Sequence, residues 1–161
     1  MCYLKLIGAA ALAGAALPAA ADVPAASVAS GGSLIGPALH VGSVPRSLTF
    51  YVEGLGMKVG MEMGPPQRHE TILTFGGDPR QPGIILLSDT TAVTPPVIAQ
   101  SNGLDRVVLR MPDLDATAAR LRAAGYTPGE IHDVPMGYRM MLATDPDGYR
   151  YELVQSGSQH P

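Results

Sequence analysis

Residues 144–154 read TDPDGYRYELV. Asp145, Pro146, Asp147 and Gly148 are turn formers, and they hand over to a strand in which long side chains alternate. Alternation sends Tyr149, Tyr151 and Leu153 to one face and Arg150, Glu152 and Val154 to the other. The first set suits a helix packed against the sheet. A glutamate on the opposite face needs solvent, a cation or a ligand. The same order of residues occurs once before. Phe75-Gly76-Gly77-Asp78-Pro79 precedes IILLS from Ile84, as Leu142-Ala143-Thr144-Asp145-Pro146 precedes RYELV from Arg150. Matching the two strands sets Leu86 beside Glu152.

The repeat extends upstream. Ala38 to Gly42 reads as a short strand, and Val44-Pro45 opens a helix with Ser43 at the cap position. Leu48, Tyr51, Val52 and Leu55 recur at helical spacing until Gly54 and Gly56 end the helix, and Met57 to Met61 reads as a strand. In the second half, Arg106 to Met111 is a strand and Asp113 a cap. Leu114, Ala118, Leu121 and Ala124 mark a helix face, and Gly125 is the stop. His40 then corresponds to Arg110, and Gly36 to Arg106. Two copies of about 65 to 70 residues, each a βαβββ unit, account for the order. One helix covers one face of a four-stranded sheet, so the other faces of the two sheets enclose a cleft. The fold class is α+β: two βαβββ modules forming a curved mixed sheet around a cleft.

Composition bounds the function. Of the 161 residues, 46% are hydrophobic and 16% charged, enough for a buried core in one domain. A net charge of −3 and the lack of basic runs argue against nucleic acid as a partner. Residues 1–21 have the layout of a secretory signal peptide: Lys5, an apolar run from Leu6 to Leu17, Pro18, then small residues up to a cut after Ala21. Cys2, the single cysteine, leaves with it, so the mature chain has no disulfide and no thiol nucleophile. The organisation expected is residues 1–21 as signal peptide, 22–37 as flexible leader, 38–156 as domain and 157–161 as tail. Within the domain, module one is 38–92, a linker 93–103 and module two 104–156. The protein is expected to be secreted, in the periplasm, with no stable membrane anchoring after cleavage.

HVGSVPRSLTFYVEGLGMKV (40–59) and DPDGYRYELVQ (145–155) resemble the opening and closing motifs of the vicinal oxygen chelate superfamily. That superfamily includes glyoxalase I, methylmalonyl-CoA epimerase, extradiol dioxygenases, fosfomycin-modifying enzymes and bleomycin-sequestering proteins. The resembling residues are Arg46, Ser47, Phe50, Tyr51, Leu55, Gly56 and Met57 in the first motif. In the second they are Asp145, Pro146, Asp147, Gly148, Glu152 and Leu153. The resemblance covers residues 37 to 156. It implies the paired-module fold and, in glyoxalase-like members, a divalent metal held by four side chains from the first and last strands of each module. Those positions correspond to Gly36, Leu86, Arg106 and Glu152. Glycine and leucine offer no donor, arginine is permanently cationic, and Glu152 alone matches.

The expected site is therefore the cleft face, with His40, Arg106, Arg110, Arg139, Arg150 and Glu152 as ligand-binding candidates. Glu152 is the catalytic candidate, as a general base. With three ligand positions missing, no cofactor is expected, Glu152 is balanced by an arginine, and an arginine fork holds a small, anionic organic molecule. The alternative is a metal-dependent lyase, isomerase or dioxygenase with a divalent metal displaced onto Glu152 and His40, completed by His69 or His132. Ordinary glyoxalase I activity is not expected. A homodimer is the expected assembly. The methionines Met57, Met61, Met63, Met111, Met136, Met140 and Met141 serve as core filler or as pocket lining.

Overall fold

The computed structural model describes residues 33–157. The expected signal peptide, most of the leader, and His160 in the tail lie outside the described residues. Among the described residues no helix is long and apolar enough to cross a membrane.

Module one begins with β1 (Ala38–His40), followed by α1 (Val44–Leu48) and a π-helical segment (Thr49–Gly54). It continues with β2 (Lys58–Met63), a 3-10 turn (Pro66–Arg68), β3 (His69–Thr74) and β4 (Ile84–Ser88). Module two contains β5 (Val107–Arg110), α2 (Leu114–Ala123), β6 (His132–Val134), a 3-10 turn (Pro135–Gly137), β7 (Tyr138–Thr144) and β8 (Arg150–Ser156). Each module folds into a four-stranded mixed sheet, ordered β1-β4-β3-β2 and β5-β8-β7-β6. In each, the first strand lies parallel to the last and the other neighbours are antiparallel. The βαβββ order read from the repeat is the order observed.

Helix starts follow their sequence signals unequally. Asp113 caps α2, its Oδ1 accepting the Ala116 N–H at 2.9 Å. Ser43 precedes α1 but its side chain makes no cap bond; its carbonyl instead accepts the Ser47 N–H and hydroxyl, both at 3.0 Å. The helical spacing from Leu48 to Leu55 predicts a regular α-helix, and the structure differs. Leu55 N donates to Phe50 O and Met57 N to Tyr51 O, both at 2.9 Å, so the turn is widened. Adjacent residues of an α-helix point about 100° apart, yet Phe50 and Tyr51 are both fully buried. The wider turn is stable because module two covers the side that a lone module would leave to water. Phe50 meets the Tyr126 ring edge-on at 5.1 Å between centroids, and Tyr51 meets the Tyr151 ring at 5.8 Å.

The two helical segments also pack on each other. Arg120 Nε donates to the Gly54 carbonyl at 3.3 Å. A Cβ on Gly54 would come within 2.6 Å of Leu121 Cδ2, so a side chain there would have to displace the end of the buried Leu121. Leu39, Leu86, Met57, Met111, Leu121, Met141, Tyr151 and Leu153 therefore share one core. Met57, Met111 and Met141 are filler there, whereas Met61 and Met63 are exposed. The segment leading into β1 and strand β5 border a cavity of about 160 Å³ lined in part by Gly36, Pro37, Val107 and Val108.

One register expectation needs correction. Ala38 pairs with Ile85 and His40 with Leu87, while Val108 pairs with Glu152 and Arg110 with Val154. Because His40 and Arg110 correspond, the counterpart of Glu152 is Ile85, not Leu86. Leu86 is fully buried in the helix-side core. A one-residue slip moves every side chain of a strand to the other face, and matching Ile84 to Arg150 introduces that slip.

Candidate functional site

The faces of the two sheets turned away from the shared core carry the candidate chemistry. On sheet two, pairings across the strands give the rows Val108–Glu152–Leu142 and Arg110–Val154–Met140–His132. On sheet one they give Ala38–Ile85–Ile72–Met61 and His40–Leu87–Glu70–Met63. Val108 keeps 54% of its surface exposed and Leu142 44%, so the face is open, with exposed apolar side chains between its charged ones.

Glu152 lies on that face, as the alternation predicts. Its Oε2 accepts Arg106 Nε at 2.6 Å, with side-chain exposures of 19% and 41%. Arg106 also pairs with Asp105, and Arg150 reaches Asp105 at 3.4 Å. Asp105 and Glu152, in that order of effect, hold the Arg106 guanidinium above its usual pKa. The result is a chain of alternating charge, Glu152–Arg106–Asp105–Arg150, at the start of β5 and β8. Asp105 is not among the residues expected from sequence; its adjacency to Arg106 at the strand entry is the signal that points to it.

Arg110 has a different setting. Its Nη1 donates to Ser156 Oγ at 2.5 Å, and its guanidinium carbon stands 5.7 Å from the centre of the Tyr138 ring. Continuing the β8 alternation two residues beyond Val154 would have found Ser156.

The remaining candidates separate. His40 is exposed on β1, in a recess of about 120 Å³ shared with Leu87, Pro96 and Ile98. Arg139 is a correction. It alternates with buried Met141 and therefore lies on the helix side, where its Nη1 donates to Asp115 of α2 at 2.8 Å. His69 shares the helix-side parity of Thr71 and stands 3.8 Å from Glu62. His132 is on the open face but exposed on the edge strand β6, two strands from Glu152. Among the described residues no group of three or more His, Cys, Asp or Glu is placed to hold a metal ion.

The four positions that the glyoxalase-like pattern assigns to a metal are thus Gly36, Ile85, Arg106 and Glu152. Gly36 has φ +149°, and a Cβ there would collide with the Gly83 carbonyl. Backbone packing therefore forbids a ligating side chain at that position. Ile85 is an alkyl group and Arg106 a cation. This donor set, one carboxylate already bonded to a guanidinium, does not fit a divalent ion that needs about three protein ligands.

The Asp-Pro-Asp-Gly turn serves the junction between modules. Asp147 Oδ1 accepts Gly42 N at 3.1 Å and Arg46 Nη2 at 2.7 Å, and its Oδ2 accepts the Ser47 hydroxyl at 3.3 Å. Asp145 Oδ1 accepts the Asp147 and Tyr149 N–H groups at 2.9 and 2.8 Å. Its Oδ2 accepts the Tyr51 hydroxyl at 2.7 Å, and Tyr51 is also 2.7 Å from the Tyr151 hydroxyl. Burial raises the Asp145 carboxyl above its ordinary value, against the opposing pull of the Tyr51 hydroxyl. Burial also pushes the Tyr51 and Tyr151 hydroxyls up.

Comparison with known proteins agrees with this architecture. The family model described as Glyoxalase/Bleomycin resistance protein/Dioxygenase superfamily matches residues 34–153. A probable lactoylglutathione lyase of Vibrio parahaemolyticus is 29% identical over 131 residues, covering 79% of this chain and 93% of that protein. One from Synechocystis is 26% identical over 132 residues, covering 78% and 97%. Among solved structures, the glyoxalase I of Leishmania major superimposes with a TM-score of 0.63 at 23% identity, covering 78% of this chain and 87% of that one. Glyoxalase I from Zea mays gives 0.66 at 23% identity, covering 78% and 45%. At such identities the structural likeness speaks for the fold alone. The family match spans most of the sequence, and the chain belongs to the Glyoxalase/Bleomycin resistance protein/Dioxygenase superfamily.

Proposed function

We propose that this protein binds a small organic molecule on the open face of its paired sheets, without a metal at the positions glyoxalase-like relatives use. The observation that carries this reading is the 2.6 Å bond from Arg106 to Glu152. The carboxylate best placed to hold a metal already has a cation, and its companions are Gly36 and Ile85. The apolar floor of Val108, Leu142, Met140 and Val154 supplies area for an organic body, and the flanking arginines supply polar anchors. Export belongs to the same proposal, and a mature N-terminus at Asp22 in a periplasmic fraction is its check.

Metal analysis of the purified protein tests the reading. The expected result is no stoichiometric divalent metal and a melting temperature indifferent to chelator. One equivalent of metal that disappears in Glu152→Ala sinks it.

The relatives named probable lactoylglutathione lyase favour a second reading, a metal-dependent lyase with a displaced site on Glu152 and His40. It requires Arg106 to release Glu152. Lactoylglutathione lyase activity that appears on adding divalent metal and vanishes in both Glu152→Gln and His40→Ala would establish it in place of the first.

A further inference from the structure

Among the described residues, Arg110 enters no ion pair. On the open face of sheet two this sets it apart from Arg106 and Arg150, which carboxylates engage. It is nevertheless held in place. The Tyr138 ring lies against the guanidinium at 5.7 Å and the Ser156 hydroxyl takes one N–H of Nη1 at 2.5 Å. A guanidinium carries five N–H donors in a fixed plane, so most of the fork is left to meet a partner. The side chain is exposed, and a recess lined by Arg110, Met111, Pro112 and Ser156 at the exit of β5, on the side away from Val108, leaves its free donors accessible. A cation fixed in orientation without a carboxylate is arranged to receive one bidentately.

The neighbours define what the rest of the ligand looks like. Val154 is the direct partner of Arg110, and Met140 lies next to Val154. Val108 is two residues back along β5 and opposite Glu152, roughly 7 Å from Arg110 at the rise of a strand. One end of this apolar strip is therefore cationic and the other ends at the Arg106–Glu152 ion pair. At that end two carboxylates, Glu152 and Asp105, are balanced by Arg106 and Arg150, so the cluster offers hydrogen bonds to a neutral group and no unpaired charge to a second anion.

We propose that Arg110, oriented by Tyr138 and Ser156, is the anchor for a small organic monocarboxylate. Its apolar body lies on Val108, Val154, Met140 and Leu142, and its far end carries a neutral hydrogen-bonding group toward the Arg106–Glu152 pair. This rests on the open-face binding reading and names its ligand class and orientation.

The test uses benzoate and 4-hydroxybenzoate as probes, with their methyl esters as neutral counterparts. Thermal shift and calorimetry are run on the wild type, Arg110→Gln, Arg110→Lys and Arg122→Gln. Arg122 is an exposed arginine of α2 and controls for lost charge. The acids are expected to bind the wild type and Arg122→Gln alike. Arg110→Gln weakens them by about tenfold or more, since a hydrogen bond to a charged group is lost. Arg110→Lys falls between, because charge remains and the fork is gone. Esters binding as well as acids, or Arg110→Gln binding unchanged, would overturn the anchor and leave open-face binding standing. Failure of all four probes to bind the wild type would remove both.

Discussion

At the scale of single residues, exposure decides what each charged group does. The Arg106–Glu152 pair is partly open to water, and such pairs contribute about 0–1 kcal/mol. Glu152→Gln is therefore expected to cost under about 1 kcal/mol in urea unfolding, which makes it a clean probe of function. Asp147 has the same charge and the opposite setting, with 8% of its surface exposed and donors from Gly42, Arg46 and Ser47. Asp147→Ala strands those donors and is expected to cost about 2–4 kcal/mol by the same measurement. Alternation along RYELV was enough to place Glu152 on the open face. It was not enough to find its counterpart, because the connection from Thr74 to Ile84 is longer than that from Thr144 to Arg150. The ladder, unlike the sequence, fixes Ile85.

At the scale of elements, both helices were legible from apolar spacing, cap and stop residues, but the π-helical character of Thr49–Gly54 was not. Local spacing reports one helix face, whereas the burial of Phe50 and Tyr51 together depends on the other module. The Gly54–Leu121 contact gives a direct test. Gly54→Ala overpacks the helix crossing and is expected to cost about 1–3 kcal/mol. Leu121→Ala leaves a cavity and costs about 2–5 kcal/mol. The double variant is expected to be more stable than the sum of the two implies, since the new methyl enters space that Leu121 vacates. Additive values in denaturant unfolding would show that the close approach does not govern this crossing. Arg139 was misplaced from sequence for a related reason: its partner, Asp115, comes from α2 and not from its own sheet.

At the scale of the whole molecule, the shared core and the buried tyrosines make folding a joint property of both modules. A single unfolding transition by fluorescence and circular dichroism is expected. Tyr51 and Tyr151 retain their protons to higher pH in the folded protein than in the unfolded chain. Unfolded tyrosine ionises near about pH 10. Their contribution is intact below that pH and is lost as pH rises, by up to about 1.4 kcal/mol per pH unit for each tyrosine. Tyr151→Phe is expected to flatten the alkaline slope of stability, measured as urea midpoints on either side of about pH 10. The buckle that joins the halves also shows how far the two copies have diverged. In module two the Asp-Pro turn reaches into its neighbour, whereas in module one Asp78, which the sequence repeat sets beside Asp145, lies four residues beyond β3 and spends its carboxylate on the exposed Arg80. The duplication has become a lock with one key. Module two carries the bolt in Asp147, and module one supplies the catch in Gly42, Arg46 and Ser47.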